Sequence, residues 1–236
     1  MRVLSVVHHD NARAGVFGDA GGELVDWMAP DGDPPPPLPG FDALMVFGGS
    51  MHVDQEAAHP WLRVEKALIG EAIESGMPVL GVCLGSQLVS EVAGAKPHKA
   101  AEAEVGWREI EITREGAADP VIGPLAPSAL VFQWHAYESP LPPDAVELAR
   151  NPLCLQAFRL RDRPVWGVQF HAEVTEPDLF GWLAEFDEDP DAVATGIDPD
   201  AIRSESRERL PAQHELGRGL AARFLDQARA FRAAAA

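Results

Sequence analysis

Cysteine is scarce in this chain: Cys83 and Cys154 are the two among 236 residues. Two thiols cannot staple a chain of this length into a disulfide framework, so a reducing compartment is expected in place of secretion. Positive charge is scarce as well. Lys and Arg number 19 against 37 Asp and Glu, a formal net charge of −18. A surface of that sign repels nucleic acid and anionic membranes, and neither is expected as a partner. Long apolar runs are missing too, since none approaches the roughly 20 residues of a bilayer-spanning helix. The opening MRVLSVVHHD has a short apolar stretch but no small-residue cleavage site, and it reads as a first strand. A cytoplasmic location is the expectation.

What is present is an ordinary globular composition, 46% hydrophobic and 24% charged. The chain is long enough for one large α/β domain or two small ones. Short apolar runs at Val3–Val7, Glu23–Trp27, Ala43–Phe47 and Pro78–Cys83 read as strands, the third of them continuously apolar. Between the last two, Pro60 to Ser75 reads as a helix, with Trp61, Val64, Leu68, Ile69, Ala72 and Ile73 at helical spacing and Gly76 as its stop. Leu84, Leu88 and Val92 mark a second helix that ends at Gly94. Strands that alternate with helices and carry few polar residues predict a parallel sheet covered on both faces.

The second half reads differently. Trp107–Thr113, Ala129–Trp134, Val146–Ala149, Leu155–Leu160 and Val165–Phe170 are strand-like, with short Pro/Gly turns between them. Antiparallel additions to the sheet are the simplest outcome. Residues 185–191, EFDEDPD, read as a solvated acidic loop. Beyond Pro199 the pattern is helical, and Leu216, Leu220, Phe224 and Ala228 form a stripe that is expected to pack on the core. The expected division is a domain over 1–190 with a helical extension, 191–236, packed on it.

Chemistry concentrates at Gly81-Val82-Cys83-Leu84-Gly85-Ser86-Gln87. A strand ends and a helix begins at Cys83, and the flanking glycines let the two pack closely beneath a sharp elbow. The helix N-terminus favours the thiolate. The pattern alone leaves Cys83 open between a nucleophile and a small buried residue. A candidate base stands in Val168-Gln169-Phe170-His171-Ala172-Glu173. Residues two apart in an extended segment point the same way, so Glu173 can orient the His171 ring. A structural histidine at a strand end is the competing reading. Gly48-Gly49 follows a strand of the open sheet, on the edge where such sheets bind ligands. Backbone N–H groups there can face an oxyanion, and the N–H groups of Gly49 and Leu84 are the proposed donors. His8, His9 and Asp10 suggest a metal site at first sight, but neighbours in a strand face opposite sides, so no metal is expected. Cys154 reads as core.

Together, Gly48-Gly49, GVCLGSQL at 81–88 and WGVQFHAE at 166–173 resemble the class I glutamine amidotransferase family. So do HPWLRVEKALIGEAIESGMPVLGVCLGSQL, Glu104-Val105-Gly106-Trp107 and FQWHAYESPLPPDAVELARN, and the likeness spans roughly residues 1–185. It is similar to stand-alone members related to the amidotransferase domain of GMP synthase. The resemblance implies a flavodoxin-like, three-layer open α/β sheet and a Cys83–His171–Glu173 triad. It also implies an oxyanion hole at Gly49 and Leu84, with Gly48, Gln87 and His135 at the substrate. His135 has an equal structural alternative, and Trp134, Tyr137 and Glu138 are further candidates for the pocket.

The chemistry implied is attack on the glutamine side-chain amide, a γ-glutamyl thioester and its hydrolysis, with no cofactor and no metal. Ammonia would pass to a separate synthetase subunit. Two alternatives stay open: a γ-glutamyl peptidase or transferase acting on other γ-glutamyl small molecules, and a non-catalytic binding module of the same fold. Two departures stand out. NARAGVFGDAGGEL leaves little room for a regular first helix, and Ser50 stands where the family often has proline.

Overall fold

The short apolar runs of the first half become the parallel part of a nine-stranded sheet in the computed structural model, which describes residues 1–235. The strands are β1 (Arg2–Val7), β2 (Glu23–Met28), β3 (Ala43–Val46), β4 (Val79–Val82), β5 (His98–Ile112), β6 (Ser128–Glu138), β7 (Ala145–Arg150), β8 (Leu155–Leu160) and β9 (Val165–Val168). The helices are α1 (Trp61–Glu74), α2 (Leu84–Val92), α3 (Arg114–Ala117), α4 (Glu176–Ala184), α5 (Pro190–Ala194) and α6 (Pro199–Ala235). Across the sheet the order is β2-β1-β3-β4-β9-β8-β7-β5-β6. The first five of these pair in parallel, and every pairing from β9–β8 outward is antiparallel. The chain leaves β1 for β2 on one side and then crosses to β3 on the other. That crossing makes a switch point at the C-terminal ends of the parallel strands, where open α/β sheets bind ligands.

Alternation along each strand divides the core between the two faces. Val3, Val7, Met45, Leu80 and Trp166 face one side, where α6 covers them with Leu220, Phe224, Leu225 and Ala228. Leu4, Val6, Leu44, Val46 and Val79 face the other, beneath Leu62, Ile69 and Ala72 of α1 and Leu88 of α2. Each such side chain contributes about 1.5–3 kcal/mol when fully buried. The stripe at 220, 224 and 228 therefore does pack on the core. Helix α1 is turned slightly from expectation. Val64 is 44% exposed, and Leu62 and Glu65 take the buried face. No helix among the described residues is long and apolar enough to cross a membrane.

Two expectations are corrected. Strand β5 starts at His98, nine residues before the apolar pattern begins. Its first half, HKAAEA, is poor in β-branched side chains and largely exposed, and pairing with β6 holds it across a bulge between Lys99 and Glu104. The acidic segment at 185–191 leaves Glu185, Asp187 and Glu188 exposed, but it is not a loop: a 3-10 turn at Phe186–Glu188 leads into α5. Phe186 is buried in a third apolar cluster with Phe132, Leu179 and Leu183. The Asp189 side chain caps α5 by accepting from the N–H groups of Asp191 and Ala192, and it also accepts from Trp134 Nε1 at 2.9 Å. A run that looks soluble by composition is thus fixed by one aromatic and one cap. The Gly-rich stretch after β1 forms a 3-10 turn at Gly15–Ala20, with no regular α-helix.

Candidate active site

Close packing beneath Cys83 explains the glycines around it. A Cβ on Gly81 would lie 2.5 Å from the Gly85 carbonyl oxygen, and one on Gly85 would lie 2.0 Å from that of Val46. With neither Cβ present, α2 starts directly against the ends of β3 and β4. The turn between them forces Cys83 to φ 52° and ψ −111°. Positive φ is rare for a residue with a Cβ and costs of order 1–3 kcal/mol, which the surrounding packing must offset. The thiol is consequently held at the N-terminus of α2.

The Cys83 thiol points at the Trp134 carbonyl oxygen, 3.7 Å away, and the His171 ring lies beside it, near enough for the sulfur to act on the charge of the ring. On its other side, His171 Nδ1–H donates to Glu173 Oε1 at 2.7 Å. The backbone is tied at both ends: His171 N–H donates to the Phe132 carbonyl at 2.9 Å, and Gln213 Nε2 donates to the His171 carbonyl at 2.6 Å. Gln213 belongs to α6, so the C-terminal helix supports the histidine directly. Nothing in the local pattern of the tail points to that contact. The edge of Trp182 from α4 rests on the His171 ring, with centroids 4.9 Å apart. Gly48 closes the third side, where a Cβ would lie 3.0 Å from His171 Cε1 and 3.6 Å from Cys83 Cβ.

Burial disfavours a charge on His171, but the Glu173 carboxylate and the Cys83 sulfur outweigh it and hold its pKa well above the usual imidazole range. The direction of that shift favours a protonated ring. In Glu173→Gln the opposing carboxylate is gone and burial acts with less opposition. The His171 Cε1–H resonance should then titrate at lower pH than in the wild-type chain. An unchanged NMR titration midpoint would show that Glu173 does not set the charge of the ring.

Around this group opens a cavity of about 420 Å³. Its floor holds Gly48, Gly49, Cys83, Leu84, Gln87 and His171, and its walls include Met51, His52, Trp134, Tyr137 and Trp182. His52 stacks on Tyr137 with centroids 4.1 Å apart. Lining residues absent from the sequence-based site include Asn11, Met51 and His52 and the acidic Glu185, Glu188, Asp189 and Asp191. Asp191 also pairs with Lys99 at 2.7 Å. Glu138 is not among the lining residues.

Two expected substrate contacts are engaged within the protein. Gln87 Nε2 donates to the Tyr137 carbonyl at 3.0 Å and lies 3.3 Å from Gln169 Oε1. His135 borders the cavity with its ring buried, Nδ1 3.0 Å from the Tyr137 carbonyl oxygen and Nε2 3.2 Å from Glu104 Oε2. Glu104 also accepts from Asn151 at 2.6 Å, from Gln156 at 3.0 Å and from the Cys154 thiol at 3.3 Å. Burial pushes the Glu104 carboxyl up, but His135 first, then Cys154 and Asn151, outweigh it and hold its pKa below the usual carboxylate range. Burial and the Glu104 charge push the Cys154 thiol up, which keeps it protonated and inert. Glu104, His135 and Cys154 place three ligand atoms within 4.8 Å of one another. Asn151, Gln156, the Cys154 thiol and His135 together take up the roughly four acceptor sites of the Glu104 carboxylate, so the cluster is a hydrogen-bonded knot and a poor fit for a cation.

The chain is similar in sequence and fold to known proteins. The family model for glutamine amidotransferase class-I matches residues 23–178. A glutamine amidotransferase-like protein of Salmonella typhimurium is 31% identical over 191 residues, 78% of this chain and 80% of its own. A glutamine-hydrolysing GMP synthase subunit from Halobacterium salinarum is 30% identical, covering 68% of this chain and 80% of its own. A γ-glutamyl-L-1-hydroxyisopropylamide hydrolase of a Pseudomonas species is 31% identical over 63% of this chain and 52% of its own. Among solved structures, a glutamine amidotransferase from Thermotoga maritima superposes with a TM-score of 0.85 at 26% identity, over 95% of this chain and 97% of that one. By sequence and by fold, the chain belongs to the class I glutamine amidotransferase family.

Proposed function

We propose that the protein hydrolyses γ-glutamyl amides, glutamine being the simplest, with Cys83, His171 and Glu173 as the catalytic triad. The observation that carries this reading is the meeting of the three at one point of the sheet edge, with the side-chain-free Gly48 against them. The thiolate of Cys83 attacks the amide carbon, and the electron pair of the C=O bond moves onto oxygen. The N–H groups of Gly49 and Leu84 receive that oxyanion, acting in a site where donors need no reorganisation. As the C–N bond breaks, protonated His171 gives its proton to the departing nitrogen. Ammonia or an amine leaves, and a γ-glutamyl thioester remains on Cys83. His171 then takes a proton from water, the hydroxide adds to the thioester, and glutamate departs as the C–S bond breaks.

Two substrates compete under this chemistry. Free glutamine fits an ammonia-producing partner of a synthetase, in keeping with the name of the Halobacterium relative. The size of the cavity, about 420 Å³, favours a γ-glutamyl amide with a larger amine, as does the name of the Pseudomonas relative. The two readings separate when purified protein is given glutamine and, separately, γ-glutamyl amides of small alkylamines, with glutamate release followed. Glutamate from glutamine selects the first, and glutamate from the alkylamides alone selects the second. No glutamate from either, together with no acyl group on the Cys83 peptide by mass spectrometry, overturns both.

A further inference from the structure

A second histidine lies directly behind the Gly48-Gly49 turn. His8, just past the end of β1, is fully buried, and so is Glu65 on the inner face of α1. His8 Nδ1 is 2.9 Å from the Gly48 carbonyl oxygen, and Nε2 is 3.1 Å from each of the two Glu65 oxygens. A carbonyl oxygen accepts and never donates, so Nδ1 must carry a hydrogen. Nε2 faces a carboxylate and shares a second hydrogen with it. Burial opposes a charge on the ring, while Glu65 and the Gly48 carbonyl favour it, and the net effect raises the His8 pKa. Trp61 stacks on the ring at 5.2 Å and keeps water from it.

A buried ion pair is a poor means of stabilising a fold, because removing two charges from water generally offsets their attraction. What this pair does fix is one peptide plane. The Gly48 carbonyl and the Gly49 N–H belong to the same peptide unit. That unit is trans, so the two bonds point in opposite directions. Anchoring the carbonyl on His8 turns the N–H away from His8. The α-carbon of Gly48 faces Cys83 and His171, and the α-carbon of Gly49 abuts His8, where a Cβ would lie 3.0 Å from His8 Cβ. A glycine pair has no side chains to resist rotation of the plane between them, and a rotated plane would present a carbonyl to the developing oxyanion.

We infer that the buried His8–Glu65 pair is a positioning device for the reaction: it holds the Gly48–Gly49 peptide by its carbonyl and thereby aims the Gly49 N–H at the oxyanion. This rests on the proposed function, in which Gly49 is an oxyanion donor. The pair itself touches no substrate.

The double variant His8→Leu/Glu65→Leu removes both charges and keeps the interior apolar, and His8→Asn/Glu65→Leu returns a donor near the place of Nδ1. Thermal melting checks that each folds. The readout is protection of Cys83 from iodoacetamide by the aldehyde analogue of glutamine, which adds the thiol to its carbonyl and needs the oxyanion donors. Alkylation by iodoacetamide itself creates no oxyanion. In the double leucine variant the aldehyde concentration needed for protection should rise by about 10–100-fold, approaching the loss of one oxyanion donor. The alkylation rate should stay within about twofold of wild type, because Cys83 and His171 are untouched. The asparagine variant should recover at least half of the lost protection on a logarithmic scale. With a γ-glutamyl amide as substrate, kcat should fall and KM should hold. Equal protection in wild type and the leucine variant overturns the inference, as does a parallel loss of alkylation. A wild-type chain that alkylates but is not protected by the aldehyde removes the proposed function along with it. Failure of protection to return with asparagine assigns the pair to packing.

Discussion

Replacing Cys83 by alanine is expected to lower kcat for γ-glutamyl amide hydrolysis by about 10⁴-fold or more, the scale on which a triad nucleophile is lost. The other thiol cannot take over. Cys154 is buried in the Glu104 knot and keeps its proton. His171 would remain in place, held through its backbone by Phe132 and Gln213. The fold should hardly notice the change. Alanine keeps the Cβ that makes φ 52° unfavourable, so the strain at the elbow is common to both proteins. The stability lost is that of one buried sulfur contact, about 1 kcal/mol. Glutamate release and denaturant unfolding on the same preparation decide the matter. More than about one per cent of wild-type turnover in a folded Cys83→Ala protein would exclude Cys83 as the nucleophile.

Gly85→Ala is expected to have the largest effect on stability, more than about 4 kcal/mol, because its single added carbon has nowhere to go. It would lie 2.0 Å from the Val46 carbonyl oxygen and 2.6 Å from its carbon. Both are backbone atoms of a central strand, so no side chain can swing aside. Relief requires α2 to lift off β3, which pulls Leu84 and Leu88 from the core and carries Cys83 away from His171. Gly219→Ala is the matching control. It sits on an exposed turn of α6 with nothing within 4 Å of the added carbon. There the change should stabilise by about 0.5–1 kcal/mol, the ordinary helix preference for alanine. Similar urea midpoints for the two variants would refute the close-packing account of the G-x-C-x-G elbow.

Much of this architecture is legible from spacing. Solid apolar runs at β1, β3 and β4 can be buried on both faces only in a parallel sheet, and their ends place Gly48 and Cys83 on one edge. His171 and Glu173 meet through an i, i+2 relation that any extended segment provides. The acidic rim is harder to read, because a short run crowded with carboxylates looks solvated until Phe186 and Asp189 find partners on β6 and α4. His8 reads as no metal ligand, and its partner lies too far along the chain for local patterning to find. A signal does exist: Glu65 occupies a core-facing position of α1, between Leu62 and Leu68, where a carboxylate demands a buried partner.

The sequence by itself determined the local devices: an elbow that only small neighbours permit, a histidine with its carboxylate, and a glycine pair at a strand end. Each depends on residues within a few positions, where backbone periodicity fixes direction. Tertiary structure alone decided which of these meet. Cys83 reaches His171 because β4 pairs with β9 in parallel register, Gln213 reaches the same histidine because α6 packs back across the sheet, and Glu65 reaches His8 because α1 covers its opposite face. Those contacts are set by strand order and helix packing, which no short stretch of chain encodes.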